Sequence, residues 1–210
     1  MPVHNLALYR TPFSTAYWRD ALADFHTLRN LVFAALMTAS CIVLSHFSIP
    51  IHESLKLSWG FLARSLCSLV CGPVMAPVFG FVEDTLSFFL SSKGDPYFPG
   101  YALTTMLGNT IYALFFYRAR ITVTRIFAAK LCTNILNVLL GSLWSAILYS
   151  KGYLFYMTTS LVKNTVMLPI QTMILVVLFS ALLPILNRAG LLPDQGGNRL
   201  ELYARRRRTA

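Results

Sequence analysis

Acidic residues are scarce in this chain: Asp and Glu number only 8 among 210 residues, against 18 Lys and Arg. Charged residues of either sign make up 12%, about half the ~25% of an ordinary soluble domain. Histidine occurs four times, as His4, His26, His46 and His52, all in the first quarter of the sequence. The distal apolar segments therefore hold no imidazole for a buried Ser–His hydrolase, and no HExxH zinc helix is present. No GxxxxGK[ST] run exists either, which excludes ATP binding through a P-loop. The four cysteines, Cys41, Cys67, Cys71 and Cys132, form no CxxC pair and lie in apolar stretches. They read as small packing hydrophobes, with no disulfide framework and no metal site.

What the chain has in abundance is apolar surface. Hydrophobic residues make up 56% of it, and its mean hydropathy is +0.58. This composition predicts one compact, polytopic membrane domain. A span needs about 20 mostly apolar residues. Six segments approach that length, near 28–47, 57–70, 74–90, 101–117, 121–149 and 153–186. The expected fold is therefore an all-α bundle of six transmembrane helices over residues 28–187. Residues 1–27 form a polar N-terminal segment and 188–210 a basic tail. Segments two and three are short and meet at "CGP", and broken helices are tolerated where they line a cavity.

The formal net charge of +10 would suit a nucleic-acid binder, but its placement does not. An even number of spans puts both termini on one side. That side holds Arg10, Arg19, Arg29, Arg118, Arg120, Arg125, Arg188, Arg199 and Arg205–Arg208, whereas the other holds Lys56, Lys93 and Lys151. The bias places both termini in the cytoplasm of a cell membrane. No basic, aromatic-interleaved face for nucleic acid emerges. The Arg205–Arg208 run reads as topology enforcement, with contact to anionic lipid as the alternative.

Candidate binding residues cluster at the outer ends of spans. Lys163 and Asn164 interrupt the sixth. An ionisable residue there costs at least about 2.5 kcal/mol on insertion scales, so it is expected to face the interior and have a partner. Snorkelling to the interface is the alternative. Asn134 and Asn137 lie one turn apart on span five, with Trp144 seven residues on, as a polar stripe capped by an indole. Helix–helix hydrogen bonding and an interfacial anchor would account for the same three. The proline-stiffened loop "GDPYFPGYALTT" offers Tyr97, Phe98, Tyr101 and Thr104 to a flat ligand, or to an aromatic belt. Trp59 and Arg64 on span two invite the same two readings. Glu83 and Asp84 point to ion coupling, ligand contact or pairing with Arg64 or Lys130. Ala35 and Ala39 form a small-xxx-small face on span one, suited to close helix approach.

Together, "GPVMAPVFGFVEDTLSFFL", "GDPYFPGYALTT", "LCTNILNVLLGSLWSAILY" and "LVKNTVMLPIQ" resemble the folate-specific S components of energy-coupling factor (ECF) vitamin transporters, over about residues 28–187. The resemblance implies a non-enzymatic membrane subunit that captures folate or a reduced folate outside and needs no cofactor. It also implies partners: a transmembrane T component and two cytoplasmic ATPases, which alone use ATP, with delivery by toppling in the bilayer. Ala35 and Ala39 match the AxxxA face that meets the T component. Trp59, Arg64, Tyr97, Phe98, Tyr101, Thr104, Asn134, Asn137, Trp144, Lys163 and Asn164 fall in the pocket-lining stretches. Glu83 departs from the small residue expected before Asp84. An S component for thiamine, pantothenate or riboflavin stays open, as does a stand-alone ion-coupled carrier using Glu83 and Asp84.

Overall fold

Apolar runs dictate where the helices form, and turn residues dictate where they stop. The computed structural model describes residues 8–9, 11–47, 49–52, 55–57, 59–91, 97–149, 152–193 and 200. Arg10, Lys93, Lys151, Arg199 and Arg205–Arg208 of the topology argument lie outside the described residues. The helices are α1 (Thr15–Phe25), α2 (Leu28–His46), α3 (Gly60–Ser91), α4 (Pro99–Phe116), α5 (Val123–Leu136), α6 (Ser142–Tyr149) and α7 (Tyr153–Arg188). A π-helical turn, Asn137–Gly141, joins α5 to α6. Four helical stretches are long and apolar enough to cross a membrane: 28–46, 60–90, 123–149 and 153–188. The all-α expectation holds apart from one short antiparallel hairpin, β1 (Ile49–His52) with β2 (Leu55–Leu57), which pairs Ile49 with Leu57.

The "CGP" boundary between segments two and three is real: two helical arms meet there at a kink. Gly72 sits at φ 81°, ψ 179° and bends α3 into two arms. Only glycine fits there. Its backbone lies in the region that L side chains avoid, and a Cβ would come within 2.8 Å of the Tyr117 ring. The first arm, Gly60 to Cys71, rises about 18 Å at roughly 1.5 Å per residue, well short of ~30 Å of hydrocarbon. α3 packs chiefly on α4 and α2. The core runs through Cys67, Leu69, Met75, Phe79, Tyr112, Phe116, Leu175 and Phe179. Cys41, Cys67 and Cys71 are buried, and all four cysteines are free thiols. Outward residues such as Val162, Met173 and Val177 are exposed and apolar, as a lipid-facing surface requires.

The N-terminal segment contains a helix that hydropathy does not reveal. Ser14 caps α1 by accepting from the Tyr17 N–H. Tyr17 is fully buried against Tyr117, ring centroids 5.4 Å apart, and its hydroxyl donates to the Ala113 carbonyl. Arg118 then clamps α1 to the α4–α5 loop by pairing with Asp20 and, at 3.0 Å, with Asp24. Tyr117 donates to the same Asp24 at 2.6 Å. Arg118 holds φ 46°, a left-handed conformation tolerated because these contacts over-determine it.

Candidate functional site

Two layers of side chains build the candidate site, one aromatic and one polar. The aromatic layer gathers where α4 begins. Phe98 precedes Pro99, which starts the helix at its first position. The Phe98 ring lies 5.6 Å from Trp144 of α6 and 6.1 Å from Tyr101. Trp144 Nε1 donates to Thr104 Oγ1 at 2.9 Å, and the Thr104 hydroxyl donates onward to the Gly100 carbonyl at 3.1 Å. Tyr101 and Ser145 share a hydroxyl–hydroxyl bond of 3.2 Å. Tyr97 turns toward the end of α3, where its ring stacks on Phe89 and its hydroxyl meets Thr85 Oγ1 at 3.2 Å. The loop is thus tied to α3 on one side and α6 on the other.

Next to Thr104 lies a polar cavity of about 60 Å³. Phe61 and Arg64 line it from α3, Thr104, Thr105, Asn109 and Tyr112 from α4, and Lys130, Thr133 and Asn137 from the α5 side. Arg64 is held by Glu83: Nε donates to Oε2 and Nη2 to Oε1, both at 3.0 Å. Glu83 is 2% exposed, against 34% for the Arg64 side chain. Asp84 instead accepts from Thr105 Oγ1 at 3.0 Å. Lys130 is 5% exposed and pairs with no acid among the described residues. Its ammonium donates to the Tyr112 hydroxyl at 3.3 Å and sits 5.0 Å from the Phe61 ring centroid. No cluster of metal-ligating side chains occurs among the described residues.

The sequence-selected residues therefore divide. Arg64, Thr104 and Asn137 meet at the cavity, and Thr104 links it to Phe98, Tyr101 and Trp144. Asn134 and Asn164 lie elsewhere, in an apolar groove of about 290 Å³ between α5 and α7. There Asn134 Nδ2 donates to the Asn164 carbonyl at 3.1 Å. Asn137 bonds back to the Thr133 carbonyl and stays on the α4 side. Trp59 packs, partly buried, against the main core. Lys163 is partly buried one turn before the buried Met167, on the inward side of α7, and makes no polar contact among the described residues. Ala35 and Ala39 are exposed on α2. Sequence reasoning did not select Lys130, Tyr112 or Asn109 for binding. Lys130, a cation well inside an apolar segment, carried the one available signal.

Residues 29–179 match the family model described as the ECF transporter, substrate-specific component. The chain belongs to that family. Its members are substrate-binding subunits of transporters, which makes this chain a membrane protein with a binding role. The chain is 29% identical over 146 residues to the folate transporter FolT of Clostridium novyi (strain NT), covering 69% of this chain and 84% of the relative. It is 27% identical over 154 residues to the folate transporter FolT of Leuconostoc mesenteroides subsp. mesenteroides, covering 68% and 80%. A crystal structure of FolT bound with folic acid superposes with a TM-score of 0.64 at 27% identity. That match covers 71% of this chain and 91% of the solved one.

Proposed function

We propose that this chain is the folate-binding S component of an ECF transporter. The observation that carries this reading is the match, over most of both chains, to a FolT structure bound with folic acid. The site chemistry supports it. Folate has a flat pterin, an aminobenzoyl ring and an anionic glutamate. Phe98, Tyr101 and Trp144 offer ring faces, and the cavity beside them offers cationic and hydroxyl donors.

In this reading the bundle of residues 28–187 crosses the bilayer six times, the two arms of α3 supplying separate spans, the first of them a short one met by local thinning of the bilayer. Both termini are cytoplasmic, and the Phe98 loop faces outward. Trp59, Arg64, Tyr97, Phe98, Tyr101, Thr104, Asn134, Asn137, Trp144, Lys163 and Asn164 serve capture, some by contact and some by holding the walls. Ala35 and Ala39, exposed on α2 among other apolar side chains, dock on a T component driven by two ATPases, and toppling delivers the vitamin inside. ATP and other cofactors play no part in this chain. Glu83 is committed to Arg64 at two atoms, which disfavours the alternative of a carrier coupled to ions through that carboxylate.

Equilibrium binding of radiolabelled folate to the purified protein tests the reading, with thiamine, pantothenate and riboflavin as competitors. Tight folate binding resisting a large excess of the other three is expected. Displacement by one of them, or no folate binding, would overturn it. Lys163→Ala tests that residue's share: a change under about threefold, about 0.7 kcal/mol, removes it from the contact set.

A further inference from the structure

We infer that Lys130 is a specificity-determining residue, donating to an acceptor oxygen on the buried end of the ligand. The inference rests on the folate reading above and deepens it. Proton counting carries it. An ammonium has three N–H donors. One goes to the Tyr112 hydroxyl at 3.3 Å, and one face is met by the Phe61 ring at 5.0 Å. Among the described residues no other acceptor is bonded to Lys130 Nζ and no carboxylate pairs with it. At least one donor is left over, in a side chain that is 5% exposed and lines the polar cavity.

The neighbours do not absorb that donor. Thr133 Oγ1 lies 2.9 Å from the Lys130 carbonyl and 3.4 Å from the Tyr112 hydroxyl. Its one proton goes to the nearer carbonyl. The Tyr112 oxygen accepts from the ammonium at 3.3 Å and lies 3.4 Å from the Thr133 hydroxyl, whose shorter bond is to the Lys130 carbonyl. Across the cavity, Arg64 is neutralised by Glu83, and Asp84 accepts from Thr105. Lys130 is thus the cation lining the cavity without an acidic partner, and a buried ammonium in that state is costly. A cavity of about 60 Å³ suits a carboxylate or a ring carbonyl rather than a whole bicycle. Folate carries both kinds of oxygen, at opposite ends.

The test uses radiolabelled folate on wild type, Lys130→Met and Lys130→Arg, with tryptophan-monitored thermal unfolding of each variant. Lys130→Met is expected to weaken folate at least thirtyfold while the ligand-free protein unfolds at or above the wild-type temperature. Lys130→Arg should recover part of the affinity. Competition by pteroate and by p-aminobenzoylglutamate on wild type and Lys130→Met then locates the oxygen. The fragment that carries it loses affinity on substitution, and the other does not. Folate affinity within threefold of wild type in a folded Lys130→Met protein would overturn the inference. Lowered stability with unchanged affinity would do so too, because a merely structural lysine behaves that way. Should Lys130→Met fail to fold, Tyr112→Phe is the second probe. It removes the acceptor that orients Lys130 and should cost at least threefold in folate affinity, and unchanged affinity there would count against the inference. Wild type failing to bind folate would sink the folate reading itself, an outcome distinct from these.

Discussion

Removing one partner of the Arg64–Glu83 pair should cost very different amounts depending on which partner goes. The pair is bidentate, with both N···O distances 3.0 Å. Glu83 is 2% exposed and Arg64 34%. Arg64→Met would strand a carboxylate in the bundle, and stranded buried charges cost about 3–5 kcal/mol. About 3 kcal/mol, the lower end of that range, is expected because the neighbouring Arg64 position is partly open to solvent. Glu83→Met would free a guanidinium that already reaches the cavity mouth on a long stem. It can rotate toward water, so about 1–2 kcal/mol is expected. The double variant removes both desolvation penalties and should lose less than Arg64→Met alone. A coupling of at least about 1 kcal/mol follows from these values. Unfolding of the four proteins in one detergent, followed by tryptophan fluorescence, measures it. Additivity within about 0.5 kcal/mol, or Glu83→Met proving worse than Arg64→Met, would refute the reasoning.

Gly72→Ala should destabilise the fold by roughly 2 kcal/mol or more, since φ is 81° and the new Cβ would stand 2.8 Å from the Tyr117 ring; thermal unfolding without ligand reads this. Trp144→Phe keeps a ring but deletes the 2.9 Å donation to Thr104, and should weaken folate about five- to tenfold while leaving the unfolding temperature nearly unchanged. Ala35→Leu with Ala39→Leu adds bulk to an exposed face of α2, so folate binding by the isolated chain should persist while transport by the assembled complex falls. Loss of binding in that variant would mean the face serves the fold instead.

Helix boundaries were legible because apolar run length and turn residues are local properties. "CGP" marked the α3 break since only glycine reaches φ 81° so close to a ring. The α1 helix escaped notice for the opposite reason. Its acids look like surface groups until Arg118, 94 and 98 positions along, comes to meet them. The same limit governed the site. Helical spacing says which residues share a face of one helix, and nothing about which helix that face meets. Asn134 and Asn137 are one turn apart, yet one bonds α7 and the other lines the cavity beside α4, where a π-helical turn begins. Lys130 was visible only as a possible partner for Glu83 or Asp84. Its surplus donor emerges once Arg64 and Thr105 are seen to occupy those acids.

The strengths of the two ends of the bundle bear on where a ligand enters. The end bearing α1 is held by Arg118 to two carboxylates, by Tyr117 to Asp24 and by the buried ring of Tyr17. Opening it breaks charge-assisted bonds worth about 1.5–3 kcal/mol each and uncovers an aromatic side chain. The Phe98 end is closed by lighter contacts: one indole–hydroxyl bond, two hydroxyl pairs, the Tyr97–Phe89 stack and a few ring edges. Neutral bonds of this kind contribute about 0.5–1.5 kcal/mol. Local openings follow the weakest set of contacts. In the proposed function these strengths put exchange between cavity and solvent at the Phe98 loop, with the Arg118 clamp keeping the opposite end shut. Release on the clamped side would then need the whole body to reorient rather than a gate to open there, which is what the proposed toppling supplies.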